Sequence, residues 1–482
     1  NPPSKEDGDN NLDNLRRGLI ERVFCVEVAG RLQPPPVADA VAWRSRELGE
    51  FGKFVSSHVG YQSPASYGEF LACYKGDRRY QVYGRAIDSL KTASVNRSDA
   101  LLTTFVKCEK INFSTKEDPA PRVIQPRTPR YNVEVGRYLK KLEKKICGAI
   151  AQWYGGPTVM KGYNAHESAG HMRAMWDEFQ DPVAVGLDAS RFDQHTGESA
   201  LLWEHSVYKA CFGGRESKTL ARLLQWQIDN AGCARARDGR IKYSVKGCRM
   251  SGDMNTSLGN CLIMCALVSK LMRSTRIRLR LANNGDDCVV FMERKDLQRF
   301  NNAVKPFFLK HGYTMKVEAP VFEFEGVEFC QTKPVHTPEG WLMCRNAMVA
   351  MTKDTVSILP MEQGRMAYGW CTAIGECGMS LCGGVPIFQE FYQSLIRGGK
   401  GVRLGAHPAY EGGFAMMASG MHRRSREVDV STRVSFWKAF GIMPSLQVSI
   451  EADLASRTPD VSTVHQRVYH VPDRSLLLSC IH

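Results

Sequence analysis

Three aspartates mark the positions at which this sequence could do chemistry. Asp188 ends an apolar run over residues 183–187, and Asp286 and Asp287 follow Gly285 at a turn between two β-rich runs. Carboxylates at the ends of neighbouring strands can hold two divalent ions about 3.5–4 Å apart. Hard oxygen ligands favour Mg²⁺ or Mn²⁺ over zinc. The pattern predicts a two-metal site for phosphoryl chemistry, although Gly285-Asp286-Asp287 alone is more typical of an ordinary polar turn.

A second set of polar side chains follows Asp188 in the sequence. Asp193 lies five residues after Asp188, and a small polar loop that leads into a predicted helix contributes Ser251, Thr256 and Asn260. Hydroxyls and an amide at a helix start can bond the ribose 2′-hydroxyl, the group that separates RNA precursors from DNA precursors. Helix capping and a surface acid are the alternative interpretation of these residues.

Positive charge exceeds negative charge along the chain. The 482 residues include 64 Lys+Arg and 50 Asp+Glu, which gives a net charge of +14. Such a surplus favours a polyanionic partner, nucleic acid first and an acidic membrane surface second. Residues 107–145 alone hold eleven Lys/Arg against five acids. A further basic group near the C-terminus consists of Arg397, Lys400, Arg403, Arg423, Arg424 and Arg426. A solvated basic face is the alternative for both.

Several classes of protein are disfavoured by the composition. The 16 cysteines include no C-x-x-C pair, which is typical of reduced, buried thiols in a cytosolic protein. No apolar run approaches the roughly 18 residues that a membrane span needs. The first residue is Asn1 rather than Met, so we expect any membrane anchor to lie outside this chain. Walker A, G-x-G-x-x-G and H-E-x-x-H motifs are absent from the sequence.

The elements that must position these side chains can be predicted from periodicity. Residues 1–40 are polar and then proline-rich, which indicates an arm or linker. Residues 198–232 show helical patterns, and a long helix follows the turn at 251–252. A β-hairpin is predicted around Gly285. Arg alternates with Ile or Leu over 276–281, Asn283-Asn284-Gly285 is a turn signal, and an apolar run follows over 288–291.

The order of these elements resembles a known family. Three patterns occur in the order of motifs A, B and C of positive-strand RNA virus polymerases. They are D-x₄-D from Asp188 to Asp193, SG-x₃-T-x₃-N from Ser251 to Asn260, and the GDD turn. The segments GLDASRFDQHTG, RMSGDMNTSLGNCLIMCA and NNGDDCVVF resemble the polymerases of the tombusvirus family, carmovirus-like members included. The resemblance is strong over about residues 105–335 and weak in the flanks.

The resemblance implies a fold and a division of the chain. The fold would be α+β (mixed α/β), a right-hand polymerase with fingers, palm and thumb, in which helices flank an antiparallel palm sheet. The implied segments are an arm (1–40), fingers (41–165, with the basic motif F region at 107–145), palm with motif A (166–196), a fingers insertion (197–245), palm with motifs B to E (246–335), and thumb with the C-terminal segment (336–482).

The resemblance also implies roles for single residues. Asp188 and Asp286 would be the main ligands of two Mg²⁺ or Mn²⁺ ions, and Asp287 a supporting ligand. The positions that sense the ribose hydroxyls are Asp193, Ser251, Thr256 and Asn260.

Basic residues receive roles by the same resemblance. Lys107 and Arg122 match the triphosphate-contacting positions of motif F, with Lys110 and Lys116 as weaker candidates. Lys316 in motif D would be the general acid that protonates pyrophosphate, and an ordinary surface lysine is an alternative of nearly equal weight.

The implied function is that of a viral RNA-directed RNA polymerase. It would copy a positive-strand genome, with template RNA, product RNA and NTPs as partners. Family expectation adds a plant virus, an auxiliary replication protein, and host membranes reached through a region outside this chain, in replication complexes of the host cytoplasm. One rival is a non-catalytic RNA-binding replication factor with a decayed polymerase fold. The other is a reverse transcriptase, which is disfavoured because those enzymes place an aromatic residue at the position of Asp193 and read Y-x-D-D.

Overall fold

The chain folds into two compact units. The computed structural model describes residues 10–74, 77–107, 118–357, 364–405 and 413–461. Within these ranges, unit 1 comprises the residues up to 107, then 118–159 and 187–318, and unit 2 comprises 160–186 and the described residues from 319 onward.

Helices make up most of the regular structure. In unit 1 they are α1 (Leu12–Leu19), α2 (Ala40–Trp43), α3 (Arg46–Val59), α4 (Tyr67–Ala72), α5 (Asp77–Thr92), α6 (Pro129–Tyr154), α8 (Phe192–His195), α9 (Glu198–Ala210), α10 (Gly214–Gln225), α11 (Thr256–Thr275) and α12 (Leu297–Lys310). In unit 2 they are α7 (Ala165–Asp177), α13 (Ala347–Asp354), α14 (Gly364–Cys382), α15 (Phe388–Gly398), α16 (Gly413–Ala418), α17 (Val430–Phe440) and α18 (Pro444–Ser456). A π-helical turn (Ile20–Phe24) extends α1, and short 3₁₀ helices cover Arg97–Ala100, Arg294–Asp296 and Phe324–Gly326.

The strands form two four-stranded sheets and two hairpins. The strands are β1 (Val26–Val28), β2 (Arg31–Gln33), β3 (Leu102–Val106), β4 (Val123–Ile124), β5 (Pro182–Ala189), β6 (Asp229–Ala236), β7 (Gly239–Lys246), β8 (Leu279–Asn284), β9 (Asp287–Glu293), β10 (Met315–Val317), β11 (Thr332–Thr337) and β12 (Gly340–Arg345). The larger sheets have the orders β10-β5-β9-β8 and β4-β3-β6-β7, and β1-β2 and β11-β12 pair separately.

The sheet β10-β5-β9-β8 brings the aspartate-bearing segments together. β8 and β9 pair antiparallel from Leu279↔Met292 to Asn284↔Asp287, as the alternation and the turn signal predicted. The predicted strand before Asp188 is β5, and its last residues pair antiparallel with β10. The predicted long helix is α11, which contacts β8. α11 is buried on all sides over most of its length, as expected for a helix in the centre of a core.

The sheet β4-β3-β6-β7 packs against the N-terminal helix. Leu15 and Leu19 of α1 are buried in one cluster with Leu102, Val106 and Ala234 of the sheet. Part of the segment predicted as an arm or linker therefore belongs to the core of unit 1. Its polar composition concealed the helix because only one stripe of α1 is apolar. The helical prediction for residues 198–232 was wrong at its end, where β6 begins at Asp229.

Unit 2 has a helical core of its own. Helices α14, α15 and α17 contribute large side chains to one buried cluster, among them Trp370, Leu381, Phe388, Tyr392 and Phe436. The hairpin β11-β12 adds Val335 and Leu342 to this cluster. Among the described residues, no helix is long and apolar enough to cross a membrane.

Most of the basic C-terminal group has partners within unit 2. Arg423 contacts Glu339 and His166, Arg426 pairs with Glu339, and Arg403 pairs with Glu376. Arg397 donates to three backbone carbonyls at the end of α18. These contacts favour a structural role for this group over the polyanion-binding or solvated face that the sequence predicted.

Candidate active site

Asp188 lies at the exposed end of a buried strand. Val183, Val185 and Leu187 of β5 are buried, and the Asp188 side chain is exposed. Asp188 pairs directly opposite Lys316 of β10, so the two side chains leave the same face of the sheet. β5 ends at Ala189, and Arg191, whose backbone is left-handed (φ 47°), redirects the chain into α8.

Asp286 lies in the two-residue turn between β8 and β9. Gly285, the first turn residue, has φ 80°, a value that primed hairpin turns need at this position and that glycine adopts without strain. The fully buried Asn283 fixes the turn, because its amide donates to the Gly285 carbonyl at 2.7 Å and accepts from the Gly285 N–H at 3.3 Å. The sequence predicted Asn283 only as a turn residue. Its side chain also holds the backbone that carries Asp286.

The two aspartates influence each other electrostatically. Burial of the Asp286 carboxylate raises its pKa, and the negative charge of Asp188 also raises it. The Asp286 backbone N–H and the charge of Arg122 act in the opposite direction. Two like-charged carboxylates brought together in this way attract a cation.

The few carboxylate ligands present suit Mg²⁺ or Mn²⁺, which can take their remaining ligands from water and substrate. Over the described ranges, no group of three or more His, Cys, Asp and Glu side chains is placed to hold a metal. Asp287 is the first residue of β9 and pairs with Asn284. Mg²⁺ commonly binds through one or two carboxylates and takes its other ligands from water and substrate phosphates. The residues present therefore fit this ion.

Asp193 and Asn260 form a direct pair beside these carboxylates. Asp193 is in α8, Asn260 is in the first turns of α11, and the Asn260 amide donates to the Asp193 carboxylate at 2.8 Å. Burial raises the pKa of Asp193, against the effects of Asn260 and Arg249, and the charge of Asp286 adds to the rise. The aspartates of the two predicted sets thus lie close enough to interact.

Ser251 and Thr256 hold the polar loop in place. The Ser251 hydroxyl donates to the carbonyl of Val123 in β4 at 3.1 Å, and the Thr256 hydroxyl donates to the Met250 carbonyl at 2.7 Å. Their hydroxyl protons are therefore used within the protein, and their oxygens keep acceptor capacity. Asp253 of the same loop forms a fully buried ion pair with Arg127 at 2.5 Å.

Gly252 is required by the close approach of this loop to the chain before α6. A Cβ at Gly252 would lie 2.6 Å from the backbone N and Cα of Pro126. We expect Gly252→Ala to displace the loop and to lower the free energy of unfolding by about 1–3 kcal/mol, because the added Cβ overpacks this contact. The midpoint of urea unfolding measures the loss. Gly148→Ala is the control, because a Cβ there meets nothing within 4 Å, and equal midpoints for the two variants would contradict the expectation.

The predicted triphosphate residues flank a strand pair. The Lys107 N–H donates to the Arg122 carbonyl at 2.7 Å, next to the pairing of β3 with β4. Arg122 is exposed and its charge reaches both Asp193 and Asp286. Lys110 and Lys116 lie outside the described residues.

A cavity lies beside Asp188. Its volume is about 740 Å³, within the range of small-ligand sites. The lining includes Arg191 next to β5 and Arg17, Glu21 and Arg22 from α1 and its π-helical extension. Arg17 is fixed by Asp118 at 2.6 Å. No local pattern in the sequence marks the N-terminal segment as a border of this cavity, because the contact joins residues far apart in the chain.

Comparisons with known proteins find similarity to viral polymerases over most of the chain. A family model described as "Viral RNA dependent RNA polymerase" matches residues 6–462. The chain is 45% identical over 445 residues to the RNA-directed RNA polymerase of Tobacco necrosis virus (strain A), covering 92% of this chain and 60% of the relative. The identity is 44% over 447 residues for the enzyme of Turnip crinkle virus (92% and 57%) and 43% over 447 residues for that of Carnation mottle virus (92% and 58%).

These matches confirm the resemblance to tombusvirus-family polymerases and the mixed α/β, right-hand polymerase fold that it implied. The chain spans somewhat more than half the length of these relatives. Because the family model covers nearly the whole sequence, the chain belongs to the viral RNA-dependent RNA polymerase family.

Proposed function

We propose that this chain carries the polymerase activity of a positive-strand RNA virus and joins NTPs on an RNA template. The observation that supports the proposal is that the charge of Asp286 interacts both with Asp188 and with Asp193, which is paired with Asn260. A cation-binding carboxylate pair and a sensor of the ribose are the two parts that RNA synthesis needs in one place.

Each predicted residue has a role in this proposal. Two Mg²⁺ or Mn²⁺ ions, held by Asp188 and Asp286 with support from Asp287, would activate the 3′-hydroxyl and neutralise the leaving pyrophosphate. Asp193 and Asn260 face the ribose, and Ser251 and Thr256 shape the loop beside it.

Three basic residues complete the proposed site. Arg122 and Lys107 neutralise the triphosphate. Lys316, opposite Asp188 in the sheet, protonates the pyrophosphate.

The subdomains and partners extend the proposal. We assign fingers to 41–165 and 197–245, palm to 166–196 and 246–335, and thumb to 336–482. Template and product RNA would bind to the basic surfaces. A viral auxiliary protein and host membranes, reached through a region outside this chain, would place it in cytoplasmic replication complexes.

A primer-extension assay separates this proposal from its rivals. The chain is incubated with an RNA primer–template, Mg²⁺, and either NTPs or dNTPs. The proposal predicts incorporation of NTPs with strong preference over dNTPs. A reverse transcriptase would prefer dNTPs, and a non-catalytic replication factor would bind the RNA in a salt-dependent manner without extending it. Either of these results would contradict the proposal.

Asn260→Ala tests the ribose sensor. Removal of its amide leaves the half-buried Asp193 carboxylate without this donor, so we expect the preference for NTPs over dNTPs to fall about tenfold, the equivalent of one lost hydrogen bond to a charged group. The ratio of kcat/KM for the two substrates measures this. Asn302→Ala on the exposed face of α12 is the control, and an unchanged ratio in Asn260→Ala would exclude the assigned role.

A further inference from the structure

The guanidinium of Arg249 donates hydrogen bonds to two buried side chains, those of Glu204 and Asn260. Its Nη1 donates to Glu204 Oε1 at 3.2 Å, and Nη2 donates to Glu204 Oε2. Its Nε donates to the side-chain oxygen of Asn260 at 3.0 Å. Both side chains of the Arg249–Glu204 pair are fully buried. The planar fork of arginine suits this arrangement, because one end grips a carboxylate while Nε remains available for a third contact.

The remaining acceptors of Glu204 are also used. Asn255 and Tyr208 donate to Glu204 Oε1 at 2.7 Å and 2.8 Å. Burial opposes the charged form, but the charge of Arg249 and the hydrogen bonds from Arg249 and Asn255 together outweigh it, so the pKa of Glu204 is lowered. Gly259 of α11 passes so close that a Cβ there would meet both Glu204 and Arg249. The pair is therefore rigidly held between α9 and the start of α11.

This arrangement decides which way the Asn260 amide points. The amide oxygen accepts from Arg249, so the amide nitrogen faces Asp193 and donates to its Oδ1 at 2.8 Å. A reversed amide would place its NH₂ against the guanidinium and its oxygen against the carboxylate, which are two repulsive contacts. Arg249 also donates its backbone N–H to the Asp193 carbonyl at 2.9 Å. The same residue thus fixes both members of the pair.

We propose that the Glu204–Arg249 pair is a positioning device that sets discrimination between NTPs and 2′-deoxy substrates. Neither residue touches the substrate. They act by locking the Asn260 amide, so that one oxygen of Asp193 is occupied and the other is presented to the ribose. This inference rests on the proposed function, since it concerns the same ribose site.

Arg249→Lys tests the device. Lysine keeps the positive charge opposite Glu204, but its single ammonium cannot replace the Nε contact to Asn260. We expect the ratio of kcat/KM for an NTP over its 2′-deoxy analogue to fall about tenfold. The ratio is measured on one preparation with both substrates, so it does not depend on the fraction of folded enzyme. A purely structural role would lower yield or stability and leave the ratio unchanged.

Arg345→Lys is the matched control. Arg345 also donates through both ends of its guanidinium to a carboxylate, Asp354, and both residues lie outside the proposed ribose site. We expect this variant to be less stable and to keep the parent ratio. If Arg249→Lys gives no folded protein, Glu204→Gln replaces it, with an expected fall of about threefold because the grip on Arg249 weakens.

The outcomes separate this inference from the proposed function. An unchanged ratio in the Arg249 or Glu204 variant, or an equal fall in Arg345→Lys, overturns the positioning role while polymerase activity stands. Absence of NTP incorporation by the parent chain overturns the proposed function itself.

Discussion

Asp286→Ala is expected to abolish RNA synthesis, with a loss of at least about 10³-fold in nucleotide incorporation. The carboxylate is one of two that the structure brings together, and stabilisation of transition-state charge by a bound cation amounts to several kcal/mol. RNA binding should persist, because it depends on Lys and Arg contacts to phosphates rather than on this acid. Incorporation is measured by primer extension, and RNA binding by fluorescence anisotropy on the same preparation.

Asp88→Ala is the control for this loss. Asp88 is an exposed acid on α5, with a side-chain exposure of 73%, and its removal should leave incorporation unchanged. The rate of incorporation by Asp287→Ala should lie between the rates of Asp286→Ala and Asp88→Ala, because Asp287 is proposed as a supporting ligand. Synthesis near the parent rate by Asp286→Ala would rule out the metal assignment, and so would an equal loss in Asp88→Ala.

Arg127→Met is expected to destabilise unit 1 by about 3–5 kcal/mol, the range measured when one partner of a buried ion pair is removed. Arg127 donates to Asp253, to Asn230 and to the carbonyls of Ala100 and Trp226. The variant leaves these acceptors unsatisfied in the core and leaves Asp253 as a buried, unpaired charge. The midpoint of urea unfolding, followed by tryptophan fluorescence, measures the change.

An exposed ion pair gives the comparison. Arg46 and Glu50 are spaced i,i+4 on α3, and the Arg46 side chain is 87% exposed. Exposed pairs of this kind add little to stability, so Arg46→Met should leave the urea midpoint almost unchanged. If the two variants had equal midpoints, the buried pair would not hold the polar loop as the structure indicates.

The local parts of the site could be predicted from the sequence. The strand before Asp188, the hairpin around Gly285 and the helix that carries Asn260 all follow from periodicity and turn residues, and the structure contains each of them. These signals are local, because an apolar alternation or a turn residue acts within a few positions of the chain. The order of the motifs then indicated the family.

The supports of the site could not be predicted in the same way. Arg249 and Glu204 are 45 residues apart, and Arg127 and Asp253 are 126 residues apart. A charged residue in a sequence is usually exposed, so nothing local marks these four as buried partners. Arg127 even lies in the basic stretch that was interpreted as a surface for triphosphates. Only the tertiary fold separates its structural role from the exposed position of Arg122.

The measurement that tests the central claim most directly is the divalent-ion dependence of NTP incorporation on an RNA primer–template, for the parent chain and for Asp188→Asn. The account predicts incorporation that rises with Mg²⁺, stops on chelation, and is lost in Asp188→Asn although the variant still binds RNA. RNA binding by the parent without incorporation at any Mg²⁺ or Mn²⁺ concentration would contradict it, as would incorporation that survives in Asp188→Asn.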